Sequence, residues 1–443
     1  MRKTNVKAML LTCICVLICK SSTSQTSKTS GVMGHAGGQL KMVVILSRHG
    51  VRSSTWTQER LDSYSAQPWP KWSVPPGNLT SRGYEQMKEF GSYDRAMLAK
   101  AGLFAARGCE DASKTYIWAD TDQRTMESGK AFSEAFFPDC PPAVHRLAAG
   151  ERDPLFHSAT NGVNSGATDS ASTGQVKRAQ PVTSSAQREL IEEMQNVLLG
   201  CAPKIACMPP HAPQFSLSTA PASAIRGTDD SMVESQDPLA LASSFAEDLL
   251  LEYADGMPMD QVGWGKVDEA QLRKFLDLHT ANFDRTHRTA TRARLESSRM
   301  LWQITRTLQQ AVEQRPVPDA IGPVHAKLVL LAGHDSNIAG VAALLGIHWS
   351  LDGRQDDTPP GTELAFELWQ NEQGAYSVRV TVAMQTLHQM REMKGLTLKT
   401  PPAHATLALQ GCNVHEGPCP WAGFRRVADR AIANNDVFPI PRK

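Results

Sequence analysis

The chain has 443 residues, longer than the commonest single domain of about 100 to 150 residues, so we expect one large domain with an insertion, or two domains. Its 46 lysines and arginines nearly balance 45 aspartates and glutamates, which argues against nucleic-acid binding through a global basic field. A hydrophobic content of 41% suffices for a sizeable core.

The N-terminus has the features of a secretory signal peptide. Three basic residues among the first seven precede an apolar run over 8–19, and small polar residues follow to Ser24. This run is too short to span a bilayer, and no later stretch has the length of a membrane helix. We therefore predict a signal peptide over 1–24 and a periplasmic or secreted protein. A lipoprotein lipidated at Cys19 is the alternative, although Ile18 stands where a small residue would be expected.

Six of the nine cysteines lie beyond this segment. An even number in an exported protein indicates disulfides, and fifteen pairings are possible. Proximity along the chain favours Cys109–Cys140, Cys201–Cys207 and Cys412–Cys419. A metal site is the competing interpretation, but no Cys-x-x-Cys pair or closely spaced histidine ligands accompany these cysteines.

Three apolar runs predict buried strands, and each is followed by polar residues suited to phosphate. Met42–Leu46 precedes Arg48, His49, Gly50 and Arg52; Lys114–Ala119 precedes Arg124; Lys327–Ala332 precedes His334 and Asp335. Strand ends in an open α/β sheet meet at one crevice, so these side chains are predicted to converge. Taken singly, the first cluster could be a solvated basic turn and Arg124 a helix-end salt bridge.

Helical periodicity and caps predict the other main elements. A helix begins near Thr80 or Ser81, another precedes Pro138, and a third follows Asp335 through Leu345. Further helices are predicted at Gln187–Leu199, Leu239–Tyr253, Val267–His279 and Arg292–Val312, and later strands at Glu363–Trp369 and Tyr376–Met384.

A Ser/Thr-rich stretch over about 157–237 lacks the apolar residues that offset chain entropy, so we expect part of it to be mobile surface. We predict an α/β catalytic domain formed by 25–155 and 315–443. An inserted, mainly helical cap domain over 156–314 would contain the Ser/Thr-rich stretch.

The converging residues suit phosphoryl transfer without a metal. Arginine binds phosphate bidentately and keeps its charge. A neutral histidine can attack phosphorus and form a phosphohistidine, and nearby arginines keep its pKa low. A carboxylic acid can protonate the leaving oxygen, and Gly50 would let the backbone approach the phosphate.

The segment Arg48–Arg52 together with His334-Asp335 resembles the paired signature of the histidine acid phosphatases. Other segments resemble the bacterial periplasmic phytase and glucose-1-phosphatase branch, and the match runs from about Met42 to Phe424. These segments are Leu79–Gly83, Asp122–Thr125, Asp153–Phe156, Gly263–Gly265 and Asp357–Gly361.

This resemblance implies a mostly parallel, phosphoglycerate-mutase-like sheet flanked by helices. It makes His49 the nucleophile and Asp335 the proton donor, and it supports the three local disulfides. The phosphate clamp would be Arg48, Arg52, Arg124 and His334, with Thr55 contacting substrate at the pocket edge. His279 and Arg294 are possible pocket residues, and His279 could equally be a satisfied interdomain histidine.

One departure concerns substrate choice. Phytases of this kind usually continue the arginine motif with Ala-Pro-Thr-Lys, whereas this chain has Ser53-Ser54-Thr55-Trp56. The lysine that meets a remote phosphate is therefore missing, and Trp56 could stack on a sugar or an aromatic leaving group.

We predict an exported acid phosphatase that needs no cofactor or metal and hydrolyses phytate (inositol hexakisphosphate) or related organic phosphates. A glucose-1-phosphatase or other sugar phosphatase, and a non-catalytic phosphate-binding protein, are the alternatives. Expected partners are a small phosphomonoester but no nucleic acid or membrane span, and the expected state is a monomer.

Overall fold

The structure is a computed structural model, and it describes residues 38–148, 150–157, 183–200, 217, 225–226, 233–234, 237–412 and 418–432. The predicted signal peptide, most of the Ser/Thr-rich stretch and the predicted pair Cys201–Cys207 lie outside the described residues. Within the described ranges, no helix combines the length and the apolar character needed to cross a bilayer.

The α-helices of the described part are α1 (Gln58–Asp62), α2 (Ser81–Lys100), α3 (Gln123–Phe136), α4 (Ser185–Leu199), α5 (Pro238–Ala254), α6 (Glu269–Thr286), α7 (Ala290–Glu313), α8 (Asp335–Leu345), α9 (Leu387–Glu392) and α10 (Trp421–Ile432). The strands there are β1 (Gly38–Arg48), β2 (Thr115–Ala119), β3 (Val144–His145), β4 (Ile225–Arg226), β5 (Val233–Glu234), β6 (Leu328–Gly333), β7 (Ser350–Leu351), β8 (Arg354–Gln355), β9 (Glu363–Asn371), β10 (Tyr376–Met384), β11 (Ala403–Leu407) and β12 (Cys419–Pro420).

The main sheet has the order β11-β10-β9-β1-β6-β2-β3, with β12 also paired to β10. Strands β1, β6, β2 and β3 are parallel, whereas β9 to β12 add antiparallel pairs. The parallel strands end level with one another, because Arg48 pairs with Gly333 and Ala119 pairs with Ala332. This register brings the three predicted polar segments to one edge of the sheet.

The α/β fold class is confirmed. Each strand and helix predicted in the described residues is present, although the predicted strands at Glu363–Trp369 and Tyr376–Met384 form an antiparallel hairpin. Helices α9 and α10 and strand β11 were not predicted. The domain boundaries at 155/156 and 314/315 stay predictions.

Both faces of the sheet are buried, which explains the continuous apolar run of β1. Val44 and Leu46 pack in a cluster with residues of α7, α8 and α10. Val43 and Ile45 point to the opposite cluster, which contains residues of α2 and α3. Burying each such side chain contributes roughly 1.5–3 kcal/mol. The strand that delivers the Arg48–Arg52 segment is therefore firmly fixed.

A third hydrophobic cluster is built mainly by α4, α5 and α6. It includes Trp56, whose indole was predicted to stack on a ligand. Only 7% of Trp56 is exposed, and its ring contacts Phe245 and Tyr64 while the guanidinium of Arg60 lies 3.7 Å from the ring centroid. These contacts make Trp56 part of the packed helical layer, and its contact with substrate stays a prediction.

Two of the predicted disulfides are formed, Cys109–Cys140 and Cys412–Cys419. The first closes a segment with a sequence separation of 31 residues that includes β2 and α3. A cross-link of this span stabilises a fold by roughly 3–4 kcal/mol in the chain-entropy model.

Two carboxyl groups are buried against each other between α2 and β9. Asp94 and Glu363 are 2% and 4% exposed, and their side chains share a hydrogen bond. Burial raises the pKa of Asp94 to about 7, and burial together with Asp94 raises the pKa of Glu363 well above its ordinary value. The pair therefore folds with protons that the unfolded chain releases at lower pH.

This pair predicts a loss of stability as pH rises. Between about pH 4, where unfolded carboxyls ionise, and about pH 7, the folded state binds more protons than the unfolded state, so the free energy of unfolding falls. We expect Asp94→Asn to flatten that decline in urea titrations at several pH values. Glu85→Gln, an exposed change on the same helix, should leave it unaltered. Equal slopes in Asp94→Asn and wild type would contradict this account.

Candidate active site

The backbone around His49 is held on both sides. The His49 amide donates to the Gly333 carbonyl at 3.0 Å, and the Gly361 amide donates to the His49 carbonyl at 3.0 Å. The Arg48 amide also donates to the Thr362 carbonyl at 2.8 Å. The end of β1 is thus fixed between β6 and the loop before β9, which orients the His49 side chain.

Gly50 is required for a close approach between two segments. A Cβ on Gly50 would lie 2.4 Å from the carbonyl oxygen of Gly83. A Cβ on Gly83 would lie 2.0 Å from the carbonyl oxygen of Val51. The Gly50 amide donates to Ser128 Oγ at 3.0 Å and the Val51 amide to Gln86 Oε1 at 3.0 Å. In this structure, the two glycines therefore let the start of α2 pack directly against the Arg48–Arg52 segment.

The surroundings of His49 fix the orientation and the protonation state of its ring. Its Nδ1 lies 2.8 Å from the Gly50 carbonyl oxygen, so Nδ1–H donates to that carbonyl and the lone pair remains on Nε2. Burial, together with the positive charges of Arg124, Arg48 and Arg52, lowers the pKa of His49 well below its ordinary value. The imidazole therefore stays neutral, and nucleophilic, in acidic solution.

Arg48 and Arg52 share one buried carboxylate. Arg48 is 1% exposed, donates to the Thr358 carbonyl and to Glu247, and lies 3.0 Å from Asp335 Oδ2. Arg52 Nη2 lies 3.5 Å from the same Glu247 oxygen. Glu247, on α5, therefore holds both guanidinium groups of the segment.

Arg124 approaches the same region from the start of α3. Its Nη2 lies 2.6 Å from Asp122 Oδ2, and its Nη1 lies 3.5 Å from the Gly77 carbonyl. Thr55 is exposed. It lies beside the same glycine as Arg124: a Cβ placed on Gly77 would be 3.6 Å from Arg124 Nη1 and 3.7 Å from Thr55 Cγ2. The predicted clamp residue and the predicted pocket-edge residue are therefore neighbours.

His334 follows β6 and is anchored by an acid from the next strand. Its Nε2 lies 2.6 Å from Asp120 Oδ2, and His157 Nε2 lies 2.6 Å from that same oxygen. The rings of His49 and His334 have centroids 5.7 Å apart. Burial and Arg124 lower the pKa of His334, although the hydrogen bond to Asp120 opposes them.

Asp335 begins α8 and is paired in this structure. Its Oδ1 accepts from the Ser336 amide at 2.7 Å, and its Oδ2 lies 3.0 Å from Arg48. Burial by itself would raise the pKa of Asp335, but Arg48 and His279 outweigh it and lower the pKa well below the ordinary range. The carboxylate is therefore ionised and is a counter-ion of Arg48.

The two remaining predicted pocket residues, His279 and Arg294, differ in location. His279 is 6% exposed, with Nε2 4.0 Å from Glu247 Oε2 and Nδ1 3.2 Å from Ser243 Oγ. It thus lies beside the acid that holds Arg48. Arg294 is exposed near the start of α7, and its contact with substrate stays a prediction.

Sequence reasoning missed Glu247, Asp120 and His157 as site residues. Asp120 directly follows a predicted strand, which was an available signal. Glu247 and Asp248 are adjacent acids within an apolar helix, and both are buried, so helical periodicity alone could not select one. His157 adjoins the Asp153–Phe156 segment, whose turn directs it towards Asp120.

Among the described residues here, three guanidinium groups contact three carboxylates, those of Asp122, Glu247 and Asp335. A phosphate dianion can replace some of these carboxylates as the partner of the arginines. Asp120, His157 and His334 also bring one oxygen and two nitrogens within 4.8 Å of one another, a donor set that could hold a metal ion.

Comparisons with known proteins agree with this geometry. A model of the histidine phosphatase superfamily (branch 2) matches residues 39–383. Phytase AppA of Escherichia coli (strain K12) is 34% identical over 407 residues, which are 89% of this chain and 92% of that protein. A glucose-1-phosphatase of Salmonella typhimurium is 27% identical over 434 residues, 96% of this chain and 99% of that protein.

Solved structures give the same result. A Hafnia alvei phytase in complex with tartrate superposes with a TM-score of 0.77 at 33% sequence identity, covering 91% of this chain and 100% of that one. Its complex with myo-inositol hexakis sulphate gives 0.76 at 33% identity, covering 91% of this chain and 100% of that one. The predicted resemblance is confirmed: this chain belongs to branch 2 of the histidine phosphatase superfamily.

Proposed function

We propose that this protein is an exported acid phosphatase that hydrolyses phytate or related organic phosphates through a phosphohistidine on His49. The observation that carries the proposal is the neutral His49 ring, with its Nε2 lone pair exposed by the Nδ1 hydrogen bond, beside the guanidinium groups of Arg48, Arg52 and Arg124. A non-catalytic phosphate-binding protein would need the arginines but not this arrangement of the histidine.

In the first step, His49 Nε2 attacks phosphorus and the bond from phosphorus to the ester oxygen breaks. The guanidinium groups stabilise the charge on the other phosphate oxygens. The leaving oxygen takes a proton from Asp335. In the second step water attacks the phosphohistidine, Asp335 accepts a proton from that water, and inorganic phosphate leaves.

Asp335 must gain a proton before the first step, although its pairing with Arg48 lowers its pKa. A bound phosphate competes for Arg48 and adds negative charge nearby. Both effects raise the pKa of Asp335. A substrate bound as the monoanion can supply the proton, which fits a phosphatase that works in acid.

The substrate class rests on relatedness and on the charges of the pocket. The phytases among the relatives described above share 33–34% identity with this chain, and the glucose-1-phosphatase shares 27%. Phytate carries several phosphates, so residues beyond the primary clamp must meet anionic groups. Because Trp56 is packed in the helical cluster, it does not replace the missing lysine there, and Arg294 is a candidate for that task.

We propose that the 24 N-terminal residues are a removed signal peptide, that the mature enzyme acts in the periplasm or outside the cell, and that it is a monomer. The six cysteines after Ser24, with two disulfides formed among the described residues, support an oxidising compartment. N-terminal sequencing of the exported protein and light scattering would test these points.

A substrate comparison tests the proposed function. We expect kcat/KM at about pH 5 to be at least about tenfold higher for phytate than for glucose 1-phosphate, because more phosphate groups contact the cationic pocket. Arg294→Gln should lower this ratio, whereas Arg315→Gln, a change at another exposed arginine, should not. A higher kcat/KM for glucose 1-phosphate would contradict phytate as the substrate and favour the sugar phosphatase.

Asp335→Asn tests the proton donor. We expect its kcat to fall by about 10² to 10⁴ for alkyl phosphates, whose leaving alkoxide needs a proton. With p-nitrophenyl phosphate, the rate constant of the first step should fall much less, because nitrophenolate leaves without protonation. Pre-steady-state kinetics would measure that step alone. An equal loss on both esters would refute the role of Asp335 as the acid.

A further inference from the structure

A carboxylate and two imidazoles meet at the edge of the phosphate clamp, and hydrolysis as described gives no role to two of them, Asp120 and His157. Asp120 Oδ2 lies 2.6 Å from both His157 Nε2 and His334 Nε2, and the three atoms lie within 4.8 Å of one another. We propose that these three residues, here named the His-Asp-His cluster, bind a zinc ion, which inhibits the enzyme by competing with phosphate.

The donor set suits this ion. Zinc prefers imidazole nitrogen and carboxylate oxygen, and three protein ligands leave a coordination position open. In the structure both rings direct Nε2 at the carboxylate. His157 presents Nε2 to a metal once its proton moves to Nδ1. At His334 the same proton shift also breaks the hydrogen bond that the ring accepts from the Asn337 backbone amide. In tetrahedral geometry, zinc bonds of about 2.0–2.1 Å set ligand atoms roughly 3.3 Å apart, so each nitrogen must separate from the oxygen by roughly 0.7 Å.

The surrounding charges permit a cation. Asp122 Oδ2 lies 3.6 Å from His334 Nε2 and 2.6 Å from Arg124 Nη2. Asp120 and Asp122 together outweigh the single charge of Arg124. The guanidinium groups of Arg48 and Arg52 are paired with Glu247, and Arg48 also with Asp335. The local field at the cluster is therefore not dominated by the arginines.

The cluster is also held in place and open to solvent. The Asp153 carboxylate accepts from the Leu155 amide at 2.8 Å and from Trp118 Nε1 at 2.7 Å, and the His157 amide donates to the Asp153 carbonyl at 2.9 Å. This turn fixes the backbone of His157. Asp120 is fully buried, whereas the His157 side chain is 26% exposed, which gives an ion access and gives the ring room to adjust.

The side chain of Asn337 connects the backbone beside His157 to that of His334 through two hydrogen bonds. Asn337 Nδ2 donates to the Phe156 carbonyl at 2.8 Å, and Asn337 Oδ1 accepts from the His334 amide at 2.9 Å. The two histidines are therefore positioned by one side chain, as a shared ligand pair requires. Because His334 is a predicted member of the phosphate clamp, an ion bound to its Nε2 withdraws it from phosphate.

Direct binding tests the site without turnover. We expect isothermal titration of the full mature protein with zinc chloride at about pH 6 to show one site that His157→Asn weakens by about 10-fold to 100-fold, because one of three ligands is lost. Asparagine keeps a donor for Asp120, so the variant should fold, and its melting temperature checks this. His287→Asn, which changes another histidine–carboxylate pair, should bind zinc as wild type does. Equal affinity in His157→Asn and wild type would overturn the site.

Inhibition kinetics test whether bound zinc competes with phosphate. Only this part of the proposal, and not zinc binding itself, rests on the proposed function. With p-nitrophenyl phosphate, zinc should raise the apparent KM and leave kcat unchanged in the wild type. The half-inhibitory zinc concentration, measured against each variant's own uninhibited rate, should rise at least about tenfold in both His157→Asn and His157→Phe. Unchanged inhibition in both, or a fall in kcat at constant KM, would overturn competition at this cluster. Zinc binding by an inactive protein would refute the proposed function but leave the site standing.

Discussion

The guanidinium of Arg48 is buried at the end of the central strand, where a charge is costly unless partners surround it. Those partners come from separate parts of the chain: Glu247 from the helical layer, Asp335 from the start of α8, and the Thr358 carbonyl from the loop before β9. Satisfying one charge therefore joins the sheet, the helices and the loop around a single point. The remaining clamp residues assemble about it.

The same pairing orders the arginine side chains before an anion binds. Each arginine of the clamp is held by a carboxylate or a carbonyl, so the side chains do not have to be ordered when phosphate arrives. In the mechanism that we propose, phosphate takes the place of Asp335 beside Arg48, and Asp335 can then gain the proton that it needs to act as the acid. The same arginines keep His49 neutral. The proposed mechanism therefore makes binding and catalysis depend on one charge balance.

Much of this arrangement could be predicted from the sequence because it depends on local signals. The apolar run before Arg48 and the runs before Arg124 and His334 each end where polar residues begin, and strands of one parallel sheet end at one edge. The N-cap at Thr80 also had a local signal, and its side chain accepts from the Gly83 amide.

Other features depend on tertiary contacts that no local pattern encodes. Nothing in the apolar helix α5 distinguishes Glu247, which meets the arginines, from its neighbour Asp248. The packing of Trp56 against Phe245 depends on the position of α5, which the arginine segment does not encode. The close approach of Gly83, whose carbonyl oxygen would lie 2.4 Å from a Cβ on Gly50, likewise follows from the packing of α2.

Trapping the phosphorylated enzyme tests directly whether His49 carries the phosphoryl group. Enzyme mixed with ³²P-labelled substrate and quenched in denaturing alkali, which preserves a phosphorus–nitrogen bond, should retain label on the peptide that contains His49. His49→Ala should retain none, whereas His287→Ala should label as wild type does. Label retained by His49→Ala, or mapped to another residue of the wild type, would contradict the account.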